Sequence, residues 1–155
     1  MILEILCLEM CAGINIRNCS AKDLERILEI ENECFEHPYP EYVFQEYLDS
    51  DLFLVAENEE YILGYIMSDV REREGVIISI AVDTPFQRNG IGKRLIEKTI
   101  ERLSIEYIVL TVRTNNEGAQ KFYERLDFDR LYVIDEYYEN DEDAIVMGKQ
   151  LSDNE

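Results

Sequence analysis

Residues 79–103 read SIAVDTPFQRNGIGKRLIEKTIERL, and this stretch decides the fold. Its apolar start predicts a strand that ends at Val82, and Asp83 to Pro85 indicate a turn. From Ile91 to Leu103, apolar residues recur three and four positions apart, which is typical of a helix with one buried face. The stretch therefore predicts a strand, a short loop and an amphipathic helix in direct succession.

Two glycines, Gly90 and Gly92, fall where the strand gives way to the helix. Glycine lets a backbone approach a ligand closely, and the first N–H groups of a helix have no intrahelical partner. These amides and the positive end of the helix dipole attract phosphate, and Arg88 and Lys93 add positive charge. A plain tight connection explains the glycines equally well. The Walker A and Rossmann glycine patterns are both missing.

Length and charge limit the class of protein. A chain of 155 residues is long enough for one domain with its own core. With 34 acidic residues against 15 lysines and arginines, the net charge is −19, which argues against nucleic acid and anionic membrane as partners. This charge suits a cationic substrate such as an amine or a basic polypeptide. It is equally compatible with acidity that serves only solubility.

The cysteines and the first residues bear on the compartment. All four cysteines lie in the first quarter of the chain without a CxxC pair, and His37 is the only histidine, so a metal site is not expected. We expect free thiols in a reducing cytoplasm. Residues 1–13 lack the basic start of a signal peptide. They are interpreted as an extension of uncertain structure, and residues 14–151 as one domain.

Periodicity along the chain predicts alternating strands and helices. The predicted strands are 14–17, 52–57, 62–70, 76–82, 107–112, 129–138 and 144–150, and the predicted helices are 20–33, 41–48, 91–104 and 117–126. Ser20 with Asp23 three residues later predicts a capping box, and Asn116 is a predicted N-cap. The nearly continuous apolar run at 76–82 predicts a strand that is buried on both faces. The order favours an α/β (α+β) fold with one mixed sheet of six to seven strands and about four helices.

Three separated motifs resemble the GNAT N-acetyltransferases. They are Gln87-x-x-Gly90-x-Gly92 after a strand, Asn116-x-x-Ala119-x-x-x-Tyr123, and Tyr137-Tyr138 followed by 143–147. Within that family they are similar to the branch of ribosomal-protein-alanine and archaeal Nα-acetyltransferases, over residues 14–150. The resemblance implies the GNAT fold, acetyl-coenzyme A as co-substrate without a metal, and transfer of acetyl to a protein N-terminus or another amine. A monomer or homodimer is expected.

The resemblance also assigns roles to residues. The Val82 N–H is expected to stabilise the oxyanion of the attacked thioester, and Tyr123 to protonate the departing thiolate. On its helical spacing alone, Tyr123 would equally suit a core position. The residues implied in holding the cofactor are Ile80, Ala81, Val82, Arg88, Asn89, Gly90, Ile91, Gly92, Lys93, Asn116 and Tyr123.

One position departs from the family pattern. Bacterial members of the branch carry a glutamate base where this chain has Thr111, and threonine is a poor proton acceptor. His37 is a candidate replacement base, because its ordinary pKa lies near neutrality, and Glu36 is another. The resemblance places Phe35 and Glu36 near the substrate, and Tyr137 or Tyr138 is expected to contact its first residues. Neighbouring residues of a strand point to opposite faces, so only one of the two is expected to line the cleft, and Tyr137 is preferred.

Two alternatives stay open on the sequence. The first is a small-amine or lysine acetyltransferase on the same fold. The second is a non-catalytic module that binds acyl-coenzyme A, an interpretation that Thr111 supports and that an intact Tyr123 opposes.

Overall fold

A computed structural model describes residues 13–151. The expected extension therefore lies outside the described residues, apart from Gly13. The strands are β1 (Asn15–Asn18), β2 (Phe53–Glu57), β3 (Ile62–Arg71), β4 (Glu74–Val82), β5 (Tyr107–Arg113), β6 (Asp129–Ile134) and β7 (Ala144–Gln150). The α-helices are α1 (Leu24–Cys34), α2 (Glu41–Glu46), α3 (Ile91–Arg102) and α4 (Glu117–Arg125).

The seven strands form one sheet in the order β1-β2-β3-β4-β5-β7-β6. The β4–β5 pair is parallel, while β1–β2, β2–β3, β5–β7 and β6–β7 are antiparallel. The predicted mixed sheet with about four helices is therefore confirmed. None of the helices within residues 13–151 is long and apolar enough to cross a membrane.

The chain divides into two compact units. Unit 1 contains the described residues up to Ser68 together with Ser79–Arg102. Unit 2 contains Asp69–Ile78 and the described residues from Leu103 onward. Strands β3 and β4 contribute residues to both units.

Unit 1 is built on the antiparallel strands β1 and β2 and the first part of β3. Its core includes the fully buried rings of Phe44, Phe53 and Tyr65, whose centroids lie 5.8–6.5 Å apart. Helix α3 lies against β2. A short 3₁₀ turn precedes α1, and the Asp23 carboxylate accepts the Ser20 N–H at 2.8 Å, as the predicted capping box requires. These contacts fix α1 at its first turn.

Unit 2 is built around β7, which pairs with β5 on one side and with β6 on the other. Residues 144–148 of β7 are all buried, whereas β6 is exposed along nearly its whole length. The N-terminal part of β4 adds a short parallel pairing, Glu74–Val76 with Tyr107–Val109. Burial in unit 2 is therefore concentrated on its central strand.

Two secondary-structure predictions were wrong. Strand β4 alternates between buried and half-buried residues, because only one of its faces is fully covered. Strand β6 ends at Ile134 and not at Tyr138, because the chain turns at Glu136, where φ is 51°. The Glu136 N–H donates to the Asp143 carboxylate at 2.9 Å and fixes that turn.

Candidate active site

The junction of strand and helix in unit 1 has the predicted order. Strand β4 ends at Val82, a 3₁₀ turn spans Thr84–Phe86, and α3 begins at Ile91. Gly90 has φ +79°, a conformation that glycine adopts without steric cost. Its carbonyl accepts the Arg94 N–H at 3.1 Å, so the helix amides of Ile91, Gly92 and Lys93 precede the first intrahelical donor. Such a helix start is suited to bind an anion.

The side chains of this loop divide into two kinds. Asn89 Nδ2 donates to the carbonyls of Phe86 and Gln87, both at 3.1 Å, and so stabilises the loop itself. Arg88 and Lys93 are exposed, and Lys93 lies 3.9 Å from Glu97 on the next turn of α3. Positive charge thus lies on both sides of the helix start. The residues at positions 88–93 that are predicted to bind the cofactor lie in the end of this loop and the first turn of α3.

The peptide group after Val82 is fixed by side chains from two directions. Its carbonyl accepts Gln87 Nε2 at 2.9 Å and the Cys34 Sγ–H at 3.4 Å. Ala81 is buried and Val82 is half-buried, as expected for neighbours on opposite faces of a strand. The end of β4 therefore has a defined orientation, which a backbone oxyanion donor requires.

The loop 35–40 connects α1 to α2 and carries the predicted substrate residues of unit 1. The Phe35 N–H donates to the Glu31 carbonyl at 3.0 Å, and Phe35 itself is extended, which ends α1. Phe35 is half-buried, while Glu36 and His37 are exposed. Cys34 brings the start of this loop to the end of β4, and the two candidate bases lie beyond it in the exposed part.

In unit 2, Asn116 immediately precedes the helix that carries Tyr123. Asn116 Oδ1 accepts the Ala119 N–H at 3.1 Å, which confirms Asn116 as the N-cap of α4. Tyr123 is 8% exposed and its ring packs between Phe122 and Phe128, with centroids 5.2 and 5.6 Å away. Burial raises the pKa of Tyr123, and Tyr138 raises it further. The phenol of Tyr123 is therefore protonated at neutral pH.

Tyr138 occupies the position beside Thr111. A hydrogen bond joins the Tyr138 hydroxyl to Thr111, and the Arg113 guanidinium lies 3.8 Å from the centroid of the Tyr138 ring. Arg113 Nη1 also donates to Glu142 and Asn140, both at 2.9 Å. Burial raises the pKa of Tyr138, and the Thr111 hydrogen bond opposes this rise. Thr111, Arg113 and Tyr138 thus form a cluster that holds the loop between β6 and β7.

Tyr137 and Tyr138 lie in this loop and not in a strand. Tyr137 is 50% exposed, and its ring is perpendicular to that of Tyr138 at a centroid distance of 4.9 Å. The preference for Tyr137 as a substrate residue assumed strand alternation, which does not apply here. Tyr138 is the residue of the pair that contacts Thr111.

Comparison with known proteins identifies the family. The profile of the Acetyltransferase (GNAT) family matches residues 24–128. The chain belongs to the GNAT acetyltransferase family.

Its relatives include proteins with named activities. It is 38% identical to an uncharacterized N-acetyltransferase of Methanocaldococcus jannaschii over 87% of this chain and 90% of that protein. It is 32% identical to an N-alpha-acetyltransferase of Saccharolobus solfataricus over 88% and 92% of the two chains. The ribosomal-protein-S18-alanine N-acetyltransferase from Escherichia coli superposes with a TM-score of 0.79 at 26% identity, covering 92% of this chain and 96% of that one.

These findings confirm the predicted family, fold class and enzyme class. Family membership also confirms acetyl-coenzyme A as the co-substrate of this GNAT acetyltransferase. The start of α3, whose first amides precede the first intrahelical donor and which cations flank, fits the diphosphate of that co-substrate.

Two residues of this GNAT acetyltransferase escaped sequence reasoning. Arg113 is the last residue of the apolar strand β5, and its contacts with Tyr138 and Glu142 span 25 and more positions of sequence. Glu31 is 2% exposed and bonded to residues of β3 and β4. The spacing of Glu31 from Leu24 and Ile27 places it on the buried face of α1, and this pattern was available in the sequence.

Proposed function

We propose that this protein transfers the acetyl group of acetyl-coenzyme A to the N-terminal α-amine of a protein substrate. The similarity to an N-alpha-acetyltransferase over most of both chains supports this. The observation that carries the choice of an α-amine is Thr111, where a carboxylate base would stand in bacterial members of the branch. Thr111 is bonded to the Tyr138 phenol, whose pKa is raised by burial.

An α-amine has a lower pKa than a lysine side chain and therefore depends less on a carboxylate base. Its ordinary pKa is about 7.7–8.0, whereas that of a lysine side chain is about 10.4. At pH 7, roughly a tenth of N-termini are already neutral, against fewer than about one lysine in a thousand. An enzyme without a strong base can therefore acetylate an N-terminus at a useful rate, while a lysine would need deprotonation first.

In this proposal unit 1 holds the co-substrate through its backbone. The helix amides of Ile91, Gly92 and Lys93 bind the diphosphate, with Arg88 adding charge. Ile80, Ala81 and Val82 bind the acetyl-bearing arm of the co-substrate, and the Val82 N–H donates to the carbonyl oxygen as it becomes negative. The bonds from Gln87 and Cys34 to the Val82 carbonyl support this role, since they fix the strand end.

The chemical step is direct attack. The neutral amine forms a bond to the thioester carbon, the carbon–sulfur bond breaks, and the sulfur leaves with the electron pair. Tyr123 donates its proton to that thiolate. Asn116 bonds the arm of coenzyme A in addition to capping α4. The proton of the attacking nitrogen passes to His37 or Glu36, directly or through water.

The substrate is proposed to contact Phe35, Glu36 and Tyr137, with Tyr138 beside Thr111 as a further contact. The net charge of −19 favours a basic polypeptide, since opposite charge accelerates encounter. A cytoplasmic location and a monomeric or homodimeric state stay predictions.

The test is release of coenzyme A from acetyl-coenzyme A with short peptides that differ in their first residue. Each peptide is paired with the same sequence blocked at its N-terminus. We expect release with the free peptides and none with the blocked ones. Turnover of small amines or lysine derivatives alone would contradict the proposal. Acetyl-coenzyme A binding without transfer to any amine would favour the non-catalytic module that Thr111 also permits.

A further inference from the structure

Unit 1 contains a buried carboxylate that is surrounded by hydroxyl groups. Glu31 on α1 is 2% exposed. Its Oε2 accepts hydrogen bonds from the Tyr65 hydroxyl and from Ser79 Oγ, the latter at 3.1 Å. Within residues 13–151 it forms no ion pair. Burial of a carboxylate without a cation is costly unless several donors satisfy it, so this arrangement calls for an explanation beyond packing.

The second oxygen of the same carboxylate bonds the loop 35–40. Glu31 Oε1 accepts the backbone N–H of Tyr39 at 3.2 Å. Tyr39 stands between Pro38 and Pro40, neither of which has an N–H. The Tyr39 amide is therefore the single backbone donor through which residues 38–40 can be held. Glu31 uses one oxygen for the sheet and the other for the loop.

Helix α1 is bonded to the end of β4 at two further points. Arg26 Nη2 donates to the Asp83 carboxylate at 2.5 Å, and Cys34 Sγ lies 3.4 Å from the Val82 carbonyl oxygen. Ser79 belongs to the same strand, three residues before Val82. The polar side chains of α1 thus fix β4 where the proposed oxyanion donor lies, and Glu31 also bonds Tyr39 in residues 38–40.

We propose that Glu31 is a positioning residue for the substrate, which holds the loop 35–40 at a fixed distance from the end of β4. This inference rests on the proposed function, because that loop carries Phe35, Glu36 and His37. Glu31 touches neither the substrate nor the reacting atoms in this role. Loss of its bond to Tyr39 releases the loop, which raises the KM for the peptide and leaves the KM for acetyl-coenzyme A unchanged.

One substitution of Glu31 can remove the bond to the Tyr39 N–H and still leave the hydroxyl groups of the core with partners. Glu31→Met removes both acceptor oxygens at nearly constant volume. The Tyr65 hydroxyl and Ser79 Oγ lie 3.1 Å apart and can then bond each other, so the core loses no partner. The Tyr39 N–H is the donor left without its acceptor. Glu31→Gln retains a carbonyl oxygen for Tyr39 and serves as the rescue.

Tyr65→Phe is the matched control. It removes a hydrogen bond to the same carboxylate and keeps the ring that packs against Phe44 and Phe53. The bond from the Tyr39 N–H to Glu31 is untouched. Any effect that comes from general destabilisation of unit 1 appears in Tyr65→Phe as well as in Glu31→Met, whereas an effect through the loop appears only in Glu31→Met.

The experiment has two readouts. The first is the KM for peptide and for acetyl-coenzyme A: Glu31→Met should raise the peptide value on the order of tenfold, with Glu31→Gln and Tyr65→Phe within about twofold of wild type. The second is exchange of the Tyr39 amide hydrogen, followed by NMR without any substrate. We expect exchange at least about tenfold faster in Glu31→Met and near wild-type exchange in the other two variants.

Equal changes in both KM values, or unchanged Tyr39 exchange in Glu31→Met, would overturn the positioning role. If Glu31→Met does not fold, Tyr39→Pro removes the same bond from the loop side, in a segment that already contains two prolines. That variant should then show the selective rise in peptide KM, and its absence would count against the inference. If wild type acetylates no peptide, the proposed function fails, while the amide exchange still decides whether Glu31 holds the loop.

Discussion

The two units differ in the kind of group that they contribute to the proposed reaction. In unit 1 the groups are main-chain amides, at Val82 and at the start of α3, whereas in unit 2 they are the side chains of Tyr123, Asn116 and Tyr138. The buried charged residues among 13–151 are Asp23, Glu31 and Asp83, all in unit 1, while the buried polar side chain of unit 2 is the neutral Gln120. Unit 1 thus requires side chains that hold a backbone in place, whereas in unit 2 the groups proposed to act are themselves side chains.

The largest effect should come from removing a side chain of unit 2 that acts itself. Tyr123→Phe retains the ring between Phe122 and Phe128 and deletes only the proton donor. We expect kcat to fall about 100-fold with acetyl-coenzyme A affinity unchanged. Tyr132→Phe, on the exposed strand β6, is the matched control and should have the wild-type rate. Full turnover in Tyr123→Phe would remove it as the acid.

In unit 1 a substitution has to act through the backbone. A Cβ added at Gly90 would meet no heavy atom within 4 Å, so the cost of Gly90→Ala lies in its φ of +79°. That conformation costs an alanine about 1–2 kcal/mol, which corresponds to roughly tenfold weaker acetyl-coenzyme A binding if the loop shifts to relieve it.

Gly13 provides the control for Gly90, since it has φ +74° and equally open surroundings. Gly13→Ala introduces the same strain at the beginning of the described chain. It should leave the Kd for acetyl-coenzyme A, measured by calorimetry, unchanged. Equal affinities of Gly90→Ala and Gly13→Ala would show that the loop at Gly90 does not bind the co-substrate.

A third change tests whether unit 2 also relies on positioning. Arg113→Leu removes the cation over the Tyr138 ring and the ion pair with Glu142, which should lower the unfolding free energy by about 1–2 kcal/mol. We expect the peptide KM to rise several-fold as Tyr138 leaves Thr111. Arg113→Lys keeps the charge but lacks a planar group to stack on the ring, so its peptide KM should lie between those of wild type and Arg113→Leu. Wild-type peptide KM in Arg113→Leu would exclude Tyr138 from substrate binding.

We expect the smallest effect from a change of pH. Asp23, the residue before α1, and Glu31, within α1, are both buried, and their contributions to stability should change in opposite directions with pH. Burial raises the pKa of Asp23, but the hydrogen bonds from Arg17 and Ser20 outweigh it, so the net pKa is lowered. Its stabilising contribution is present above the unfolded pKa and is lost as pH falls. Burial raises the pKa of Glu31 against its hydrogen bonds, so its contribution is present below the unfolded pKa, about 4.3, and is lost as pH rises.

Denaturant unfolding from pH 4 to 7 measures these opposite signs. The stability of Glu31→Gln relative to wild type should improve as pH rises, whereas Asp23→Asn should become relatively worse over the same change. The two relative stabilities could instead change with pH in the same direction. In that case the surroundings of Glu31 and of Asp23 would not shift the two pKa values in opposite directions.

The sequence predicts best what is encoded locally. The junction at Gly90, the N-cap at Asn116 and the capping box at Ser20 depend on residues a few positions apart, and the structure has all three. The end of β6 depends instead on the bond from Glu136 to Asp143 across a loop, and so it was placed four residues too late. The partners of Glu31 lie 34 and 48 positions away, which no local pattern records.

The most direct test of the proposed function is the position of the acetyl group on one peptide that offers both kinds of amine. A peptide with a free N-terminus and an internal lysine is incubated with the enzyme and acetyl-coenzyme A, and the product is sequenced by tandem mass spectrometry. The account predicts acetyl on the α-amine and an unmodified lysine. Acetyl on the lysine side chain, with the α-amine free, would contradict it.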